Sequence, residues 1–280
     1  MADRSIIASD DRSLLERLVL RRGGNRLPRG VDHLLAWRLK QVAWRHNLSG
    51  LDELFTLLRD GASPGLEDEV VEQMLDTDTW FFRDDDFFQG IHATVLPDLM
   101  KSRAAERFIK FWAPGVGSGQ EVYSLILTVR HHFPAMRDWD LRVLGTDILE
   151  SALQRAQAAT YADAEVQRGL PLSLLTRYFS RSQGQWVLDP RIRAQAAFKV
   201  ADLMDGFGPN IPSFDLVCVR NLLANFDPDL RVAAIRSAAR QVAPGGFLVL
   251  GSSDQQAGLK PEPRVFRPLG NGFYKAFGQM

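Results

Sequence analysis

Apolar residues recur at three- and four-residue spacing through about the first 75 positions, and this period predicts helices. SLLERLVLRR and VDHLLAWRLKQVAWRH both carry it. LSGLDELFTLLRDG adds a third amphipathic segment, with Ser49 as its N-cap and Gly61 as its stop. The tract GASPGLEDE, residues 61–69, predicts a loop by its Gly, Ser and Pro content. Alternation of the strand type is missing here, so a small helical domain is expected.

The pattern changes after about residue 105. RFIKFWAP reads as a buried strand, followed by a turn with glycine at 115, 117 and 119, and then EVYSLILTVRHHF as a helix. WDLRVLGTDI predicts a second strand and LESALQRAQAATY its helix. FDLVCVRN is a third strand, DLRVAAIRSAARQVAPGG a helix closing at glycine, and FLVLGSS a fourth strand. Strands alternating with helices predict a parallel, doubly wound α/β sheet. QGQWVLDPRIRAQAAFKVADL, residues 183–203, reads as short strands of a small β insertion.

Composition narrows the function classes. At 280 residues the chain holds one large domain or two modest ones. Lys plus Arg equals Asp plus Glu at 34 each, so no global charge favours nucleic acid or a membrane surface. The single cysteine, Cys218, excludes an internal disulfide and suits a reducing compartment; within an apolar strand it reads as an inert thiol. MADRSIIASDDRSLLERL is too charged for a secretory signal, and no apolar run reaches the roughly 20 residues needed to span a bilayer. The five histidines have no Cys or acidic partner at metal-ligand spacing. A soluble, cytoplasmic protein is expected, without a metal, a nucleic-acid partner or direct membrane insertion.

Ligands of doubly wound sheets sit beyond the carboxyl ends of the strands. There the first strand runs into Gly115, Gly117 and Gly119, and the second ends at Gly145-Thr146-Asp147. A carboxylate at Asp147 can accept hydrogen bonds from both hydroxyls of a ribose. The dinucleotide fingerprint fails, because its sixth position is Gln120, and a phosphate-binding loop fails for want of Gly-Lys-Ser/Thr. Glu121 opens the helix instead and would repel a pyrophosphate. A cationic cofactor without phosphate, S-adenosylmethionine, suits these acidic surroundings better. Two simpler readings stand beside this one. Ser118-Gly-Gln-Glu121 is also a capping box, and Asp147 can serve as the N-cap of the next helix.

Five spaced motifs carry a resemblance. Thr79-Trp-Phe-Phe-Arg83-Asp84 resembles the Thr-x-Phe-Phe-Arg-Asp motif of the chemotaxis receptor glutamate methyltransferases, the CheR family. WAPGVGSGQEVYSL is similar to that family's glycine turn, with Trp112, Gly119, Glu121, Tyr123 and Ser124 retained. GTDILESALQRAQAATY, FDLVCVRNLLANFD and APGGFLVLGSSD match its later segments in order, so that the likeness runs from about residue 10 to 276. It implies a helical N-terminal domain with linker, 1–90, and a class I methyltransferase domain, 91–280, of Rossmann-like fold with a β subdomain at about 163–200.

By the same resemblance Thr79 and Arg83 would touch the methionine end of S-adenosylmethionine, Glu121 would contact it beside the turn at Gly115 and Gly117, and Asp147 would hold the ribose. Asp202-Leu203 would meet the adenine edge and Asn221-Leu222 would close the pocket. The implied reaction is methyl transfer to glutamate carboxylates of a chemoreceptor-like signalling protein, with Arg83 orienting the carboxylate. The alternative for Arg83 is an ion pair with Asp84, Asp85 or Asp86. Asn225 stands where the family has a tyrosine near the reacting centre, and Gln120 and Val122 replace its Glu and Pro. WRLKQVAWRHNL keeps Arg38, Lys40 and Arg45 of a helix that is more basic in the family. These departures motivate two other readings: a cofactor-binding regulator that has lost efficient transfer, and transfer to a different substrate.

Overall fold

The computed structural model describes residues 7–27, 30–61, 64–75, 79–207, 213–256, 258 and 260–277. The chain divides into two compact units, Met1–Asp76 with Asn225–Leu230, and Thr77–Ala224 with Arg231–Met280.

The first unit contains α1 (Ser9–Gly23), α2 (Asp32–Arg45), α3 (Leu51–Asp60) and α4 (Pro64–Met74). Leu15, Leu35, Leu39, Val42, Leu54, Phe55 and Val70 fill its core. Gly61 ends α3 as expected, at φ +62° with its N–H donating to the Leu57 carbonyl. Ser49 is not the cap residue. Gly50 occupies that place, and Glu53 reaches back to accept from both the N–H and the hydroxyl of Ser49 at 2.7 Å. The expected loop at 61–69 is helix from Pro64 onward, because proline at the first helical position forfeits no hydrogen bond; residues 62 and 63 lie outside the described residues. Asn225–Leu230 counts with this unit through an antiparallel bridge from Asn25 to Phe226 and an Arg26–Asp227 ion pair at 2.7 Å.

The second unit begins with α5 (Asp85–Gly90), a π-helical turn (Ile91–Val95) and α6 (Leu96–Ser102). β1 (Phe108–Pro114), α7 (Gln120–His132), β2 (Asp140–Asp147) and α8 (Glu150–Ala158) follow. Next come β3 (Thr160–Tyr161), α9 (Asp163–Gln167), α10 (Leu172–Tyr178), β4 (Phe179–Ser182), β5 (Gln185–Leu188), α11 (Pro190–Arg193) and β6 (Ala196–Val200). The chain closes with β7 (Phe214–Val219), α12 (Pro228–Arg240), β8 (Val242–Leu250), α13 (Ser252–Gln256), β9 (Phe266–Gly270) and β10 (Phe273–Ala276).

Seven strands form one sheet in the order β6-β2-β1-β7-β8-β10-β9. The five from β6 to β8 are parallel, and β10 runs antiparallel to both β8 and β9. This is the Rossmann-like arrangement of class I methyltransferases. β1 and β7 are neighbours where the strand order reverses, and the ends of these strands open the crevice in which such sheets take ligands. β7 is buried along its whole length, including Asp215, whose carboxylate pairs with Arg103.

Two expected boundaries move. β3, β4 and β5 make a separate antiparallel sheet, whereas β6 belongs to the main sheet beside β2, so the insertion ends before the expected limit at 200. α12 stops at Arg240, and Ala-Pro-Gly-Gly is already part of β8. Gly246 explains that placement: a Cβ there would lie 2.9–3.1 Å from the carbonyl oxygens of Ala243, Asp215 and Phe214. Among the described residues no helix is long and apolar enough to cross a membrane.

Candidate active site

The glycine turn leaves β1 in left-handed backbone, with φ of +70° at Gly115, +52° at Gly117 and +88° at Gly119. Gly115 and Val116 donate to the Thr146 carbonyl at 2.7 and 3.2 Å, which joins the turn to the end of β2. At Gly119 a Cβ would lie 2.8 Å from Cβ of Ala156 on α8, so only glycine lets α7 begin there.

Asp147 faces this turn from β2. Its Oδ2 accepts from Gly117 N–H at 2.9 Å and its Oδ1 from Leu149 N–H at 3.1 Å. The carboxylate therefore braces the turn and the approach to α8, while α8 has Leu149 in its cap position. Asp202 and Leu203 follow β6, whose successor Ala201 donates to the Asp147 carbonyl at 3.0 Å. Asp202 accepts from Met204 N–H at 2.8 Å, and burial pushes its carboxyl above the ordinary value. Leu203 is buried.

α7 has no side-chain cap, and the Ser118 hydroxyl donates to Gln120 instead, so the expected capping box does not form. Glu121 instead accepts from Nη1 of Arg220 at 2.6 Å. Arg220 is 4% exposed and lies on the first residue after β7. Its Nη2 donates to the Arg83 carbonyl at 2.5 Å and to Asp84 Oδ2 at 2.9 Å, and its guanidinium stacks over Phe87 at 3.8 Å. One buried cation thus ties the start of α7 to the Thr79–Asp84 motif. Burial raises the Glu121 carboxyl above its ordinary value, with Arg220 pulling it back.

The motif itself is strained. Phe82 and Asp84 hold φ of +51° and +65° on either side of Arg83, a conformation that costs non-glycine residues energy and needs external restraint. Restraint comes from Ser124, whose hydroxyl accepts from Phe82 N–H at 3.0 Å, and from Arg220 at the Arg83 carbonyl. The Arg83 guanidinium lies 4.1 Å from the centre of the Trp80 ring, and Arg168 of the insertion lies 3.9 Å from the same ring. Asp84, the first partner expected for the Arg83 side chain, pairs with Arg220. Thr79 and Arg83 are both half-buried.

Asn221 and Leu222 follow Arg220. Asn221 is left-handed at φ +55°, and its N–H donates to Asp254 Oδ2 at 2.9 Å. Leu222 packs on the glycine turn, with Cδ1 3.0 Å from where a Cβ on Gly115 would stand. Thr79, Arg83, Gly115, Gly117, Glu121, Asp147, Asp202, Leu203, Asn221 and Leu222 thus all belong to the second unit. Asn225 does not; it counts with the helical unit, where its carbonyl accepts from Arg26 N–H at 2.9 Å and its side chain is exposed.

Arg220 and Asp254 escaped the sequence reading, and Asp84 was read there only as a motif residue and a partner for Arg83. Arg220 had a signal, since CVRN places a lone cation at the end of an apolar strand. A charge in that position requires a buried partner.

The donor set fits a nucleoside with a cationic centre. It offers carboxylates at the ends of two strands, glycine backbone at the approach, and no lysine in the turn. Fold and site together define an S-adenosylmethionine-dependent methyltransferase. Residues 77–268 match the family described as "CheR methyltransferase, SAM binding domain", and the chain belongs to that family. It is 30% identical to "Chemotaxis protein methyltransferase 1" of Pseudomonas aeruginosa over 80% of this chain and 82% of that protein. It is 31% identical to "Chemotaxis protein methyltransferase 2" of Vibrio cholerae over 79% of this chain and 77% of that one. Among solved structures, N-methyltransferase NodS from Bradyrhizobium japonicum WM9, in complex with S-adenosyl-L-homocysteine, aligns over 72% of this chain and 93% of its own, with TM-score 0.39 and 15% identity.

Proposed function

We propose that this methyltransferase esterifies glutamate side chains of a chemoreceptor-like signalling protein. The observation that carries this reading is the fixed position of Arg83. Its carbonyl is held by Arg220 and its guanidinium is laid on Trp80, which fixes the orientation of the planar group. A guanidinium recognises a carboxylate by two parallel hydrogen bonds. The names of the relatives point to the same class of target.

Bound S-adenosylmethionine supplies a sulfonium methyl that a carboxylate accepts as an ester, leaving S-adenosylhomocysteine. Glycine backbone at 115 and 117 allows close approach, Asp147 receives the ribose hydroxyls and Asp202-Leu203 meets the adenine edge. Glu121, paired with Arg220, contacts the cofactor beside the turn, Thr79 with Arg83 takes the methionine end, and Asn221-Leu222 closes the wall. A glutamate is already ionised at neutral pH, so the protein needs no strong base. Its contribution is orientation by Arg83 and removal of water from the nucleophile.

Labelled-methyl transfer to cytoplasmic fragments of the host's own receptors tests the proposal. Label released as methanol in alkali is the expected result. Label that survives alkali, or no labelling while S-adenosylhomocysteine still binds, would direct attention to another substrate or to a regulatory role.

A further inference from the structure

We infer that Asp254 is a positioning residue for the cofactor pocket, acting through the loop that leaves β7. Asp254 is fully buried, at 0% exposure, within the short helix after β8. Its Oδ2 accepts from Asn221 N–H at 2.9 Å and its Oδ1 from Ala224 N–H at 3.0 Å. One carboxylate therefore collects two backbone donors from the loop that leaves β7. These are donors that an irregular loop would otherwise bury unpaired.

The loop so held has three features that need a fixed backbone. Arg220 pins Glu121 and the Arg83 carbonyl, Asn221 sits at φ +55°, and Leu222 covers Gly115. Ser253, next to Asp254, donates to Asn221 Oδ1 at 3.3 Å. The approach is tight. A Cβ on Gly251 would stand 3.0 Å from Arg220 Cα, Asn221 N and Asp254 Oδ2. Asp254 touches none of the residues assigned to the cofactor except through this loop, so its effect on binding is indirect. The inference rests on reading Asn221-Leu222 as a wall of the cofactor pocket.

The test compares S-adenosylhomocysteine affinity, measured by calorimetry on folded protein, across five variants. Asp254→Asn places an amide donor against backbone donors and is expected to weaken binding about tenfold or more. Asp254→Glu keeps the acceptor and is expected to restore most of the affinity. Asp215→Asn is the structural control. Asp215 is equally a buried carboxylate on the β7 strand, accepting from Lys110 N–H at 2.8 Å and pairing with Arg103 at 2.7 Å, but at the opposite end of the strand. It should lower thermal stability and leave the affinity within about twofold. If Asp254→Asn does not fold, Gly251→Ala crowds the same contact with the carboxylate retained and is expected to weaken binding several-fold. Affinity unchanged in Asp254→Asn, or in Gly251→Ala where only that variant folds, overturns the inference. Leu222→Ala separates the two layers: if it too binds like the unmodified protein, the pocket reading has failed rather than the role of Asp254.

Discussion

Arg220 Nη1 stands 2.6 Å from Glu121 Oε2, although the two residues are 99 apart in sequence. The same guanidinium holds Asp84 Oδ2 at 2.9 Å, so two carboxylates share one buried cation. Removing one partner of a buried pair costs about 3–5 kcal/mol, because the other charge stays behind uncompensated. Arg220→Ala is expected to lose stability of that order in urea denaturation and to lose S-adenosylhomocysteine binding as well. Arg220→Lys should recover part of the stability, since an ammonium cannot serve Glu121, Asp84 and the Arg83 carbonyl in one plane. A loss under about 1 kcal/mol in Arg220→Ala would mean that the pair contributes little.

The Glu121 carboxyl gives a pH dependence with a defined sign. Burial raises it above 4.5 in the folded protein, so the folded state holds this proton more tightly than the unfolded chain. Stability from this group is therefore present at low pH and declines as pH rises from about 4.5 through the folded value. Glu121→Gln lacks that titration. The stability difference, original protein minus Glu121→Gln, should shrink as pH rises across the window and level off above it. Urea denaturation of both proteins from about pH 4 to about pH 8 reads this directly. A difference that grows with pH would show that Arg220 outweighs burial.

Gly169 supports the Arg83 motif from the insertion. At φ +87°, a Cβ there would sit 2.0 Å from the Phe81 carbonyl oxygen and 3.1 Å from Trp80. The left-handed backbone costs an alanine about 1–2 kcal/mol, and relieving the overlap costs about 1–3 more. Gly169→Ala is expected to lose roughly 3 kcal/mol and to lower the melting temperature accordingly. Methyl transfer should fall with it, because relief of the overlap displaces the backbone two residues before Arg83. An unchanged melting temperature would show that the loop moves freely away from Phe81.

The parts of this site that could be read from sequence are those set by local rules. An apolar strand followed by glycines at 115, 117 and 119, and a second strand ending at Asp147, follow from periodicity and backbone freedom within one βα unit. Arg220, Asp84 and Asp254 follow no local rule. Their burial becomes tolerable only through partners brought close by the sheet order, and a surface charge reads the same along the chain. The start of α4 at Pro64 and the strand formed by Ala-Pro-Gly-Gly were obscured by residues that usually break elements. In each case the position within the element decides: proline at a helix's first residue, and glycine where backbones crowd. β6 was merged with the insertion because its membership depends on pairing with β2, which lies about 50 residues earlier.

Asp147 and Arg83 should separate binding from turnover. Asp147 already accepts from Gly117 and Leu149 N–H groups. In the proposed function the same carboxylate also receives the ribose hydroxyls. Hydrogen bonds to a charged acceptor contribute about 1.5–3 kcal/mol each. Asp147→Ala removes the proposed ribose contacts and the brace on the turn together, and S-adenosylhomocysteine should bind at least tenfold more weakly. The rate at saturating S-adenosylmethionine should fall less, because the group that orients the acceptor is intact. Arg83→Ala reverses the pattern. Loss of the fork misplaces the carboxylate nucleophile, which lowers the rate at saturation by about a hundredfold, while affinity changes only severalfold. Calorimetry with S-adenosylhomocysteine and labelled-methyl kinetics on both variants supply the four numbers. Equal losses of affinity and rate in the two variants would contradict the division of labour, and would place both side chains at the methionine end or both at the ribose.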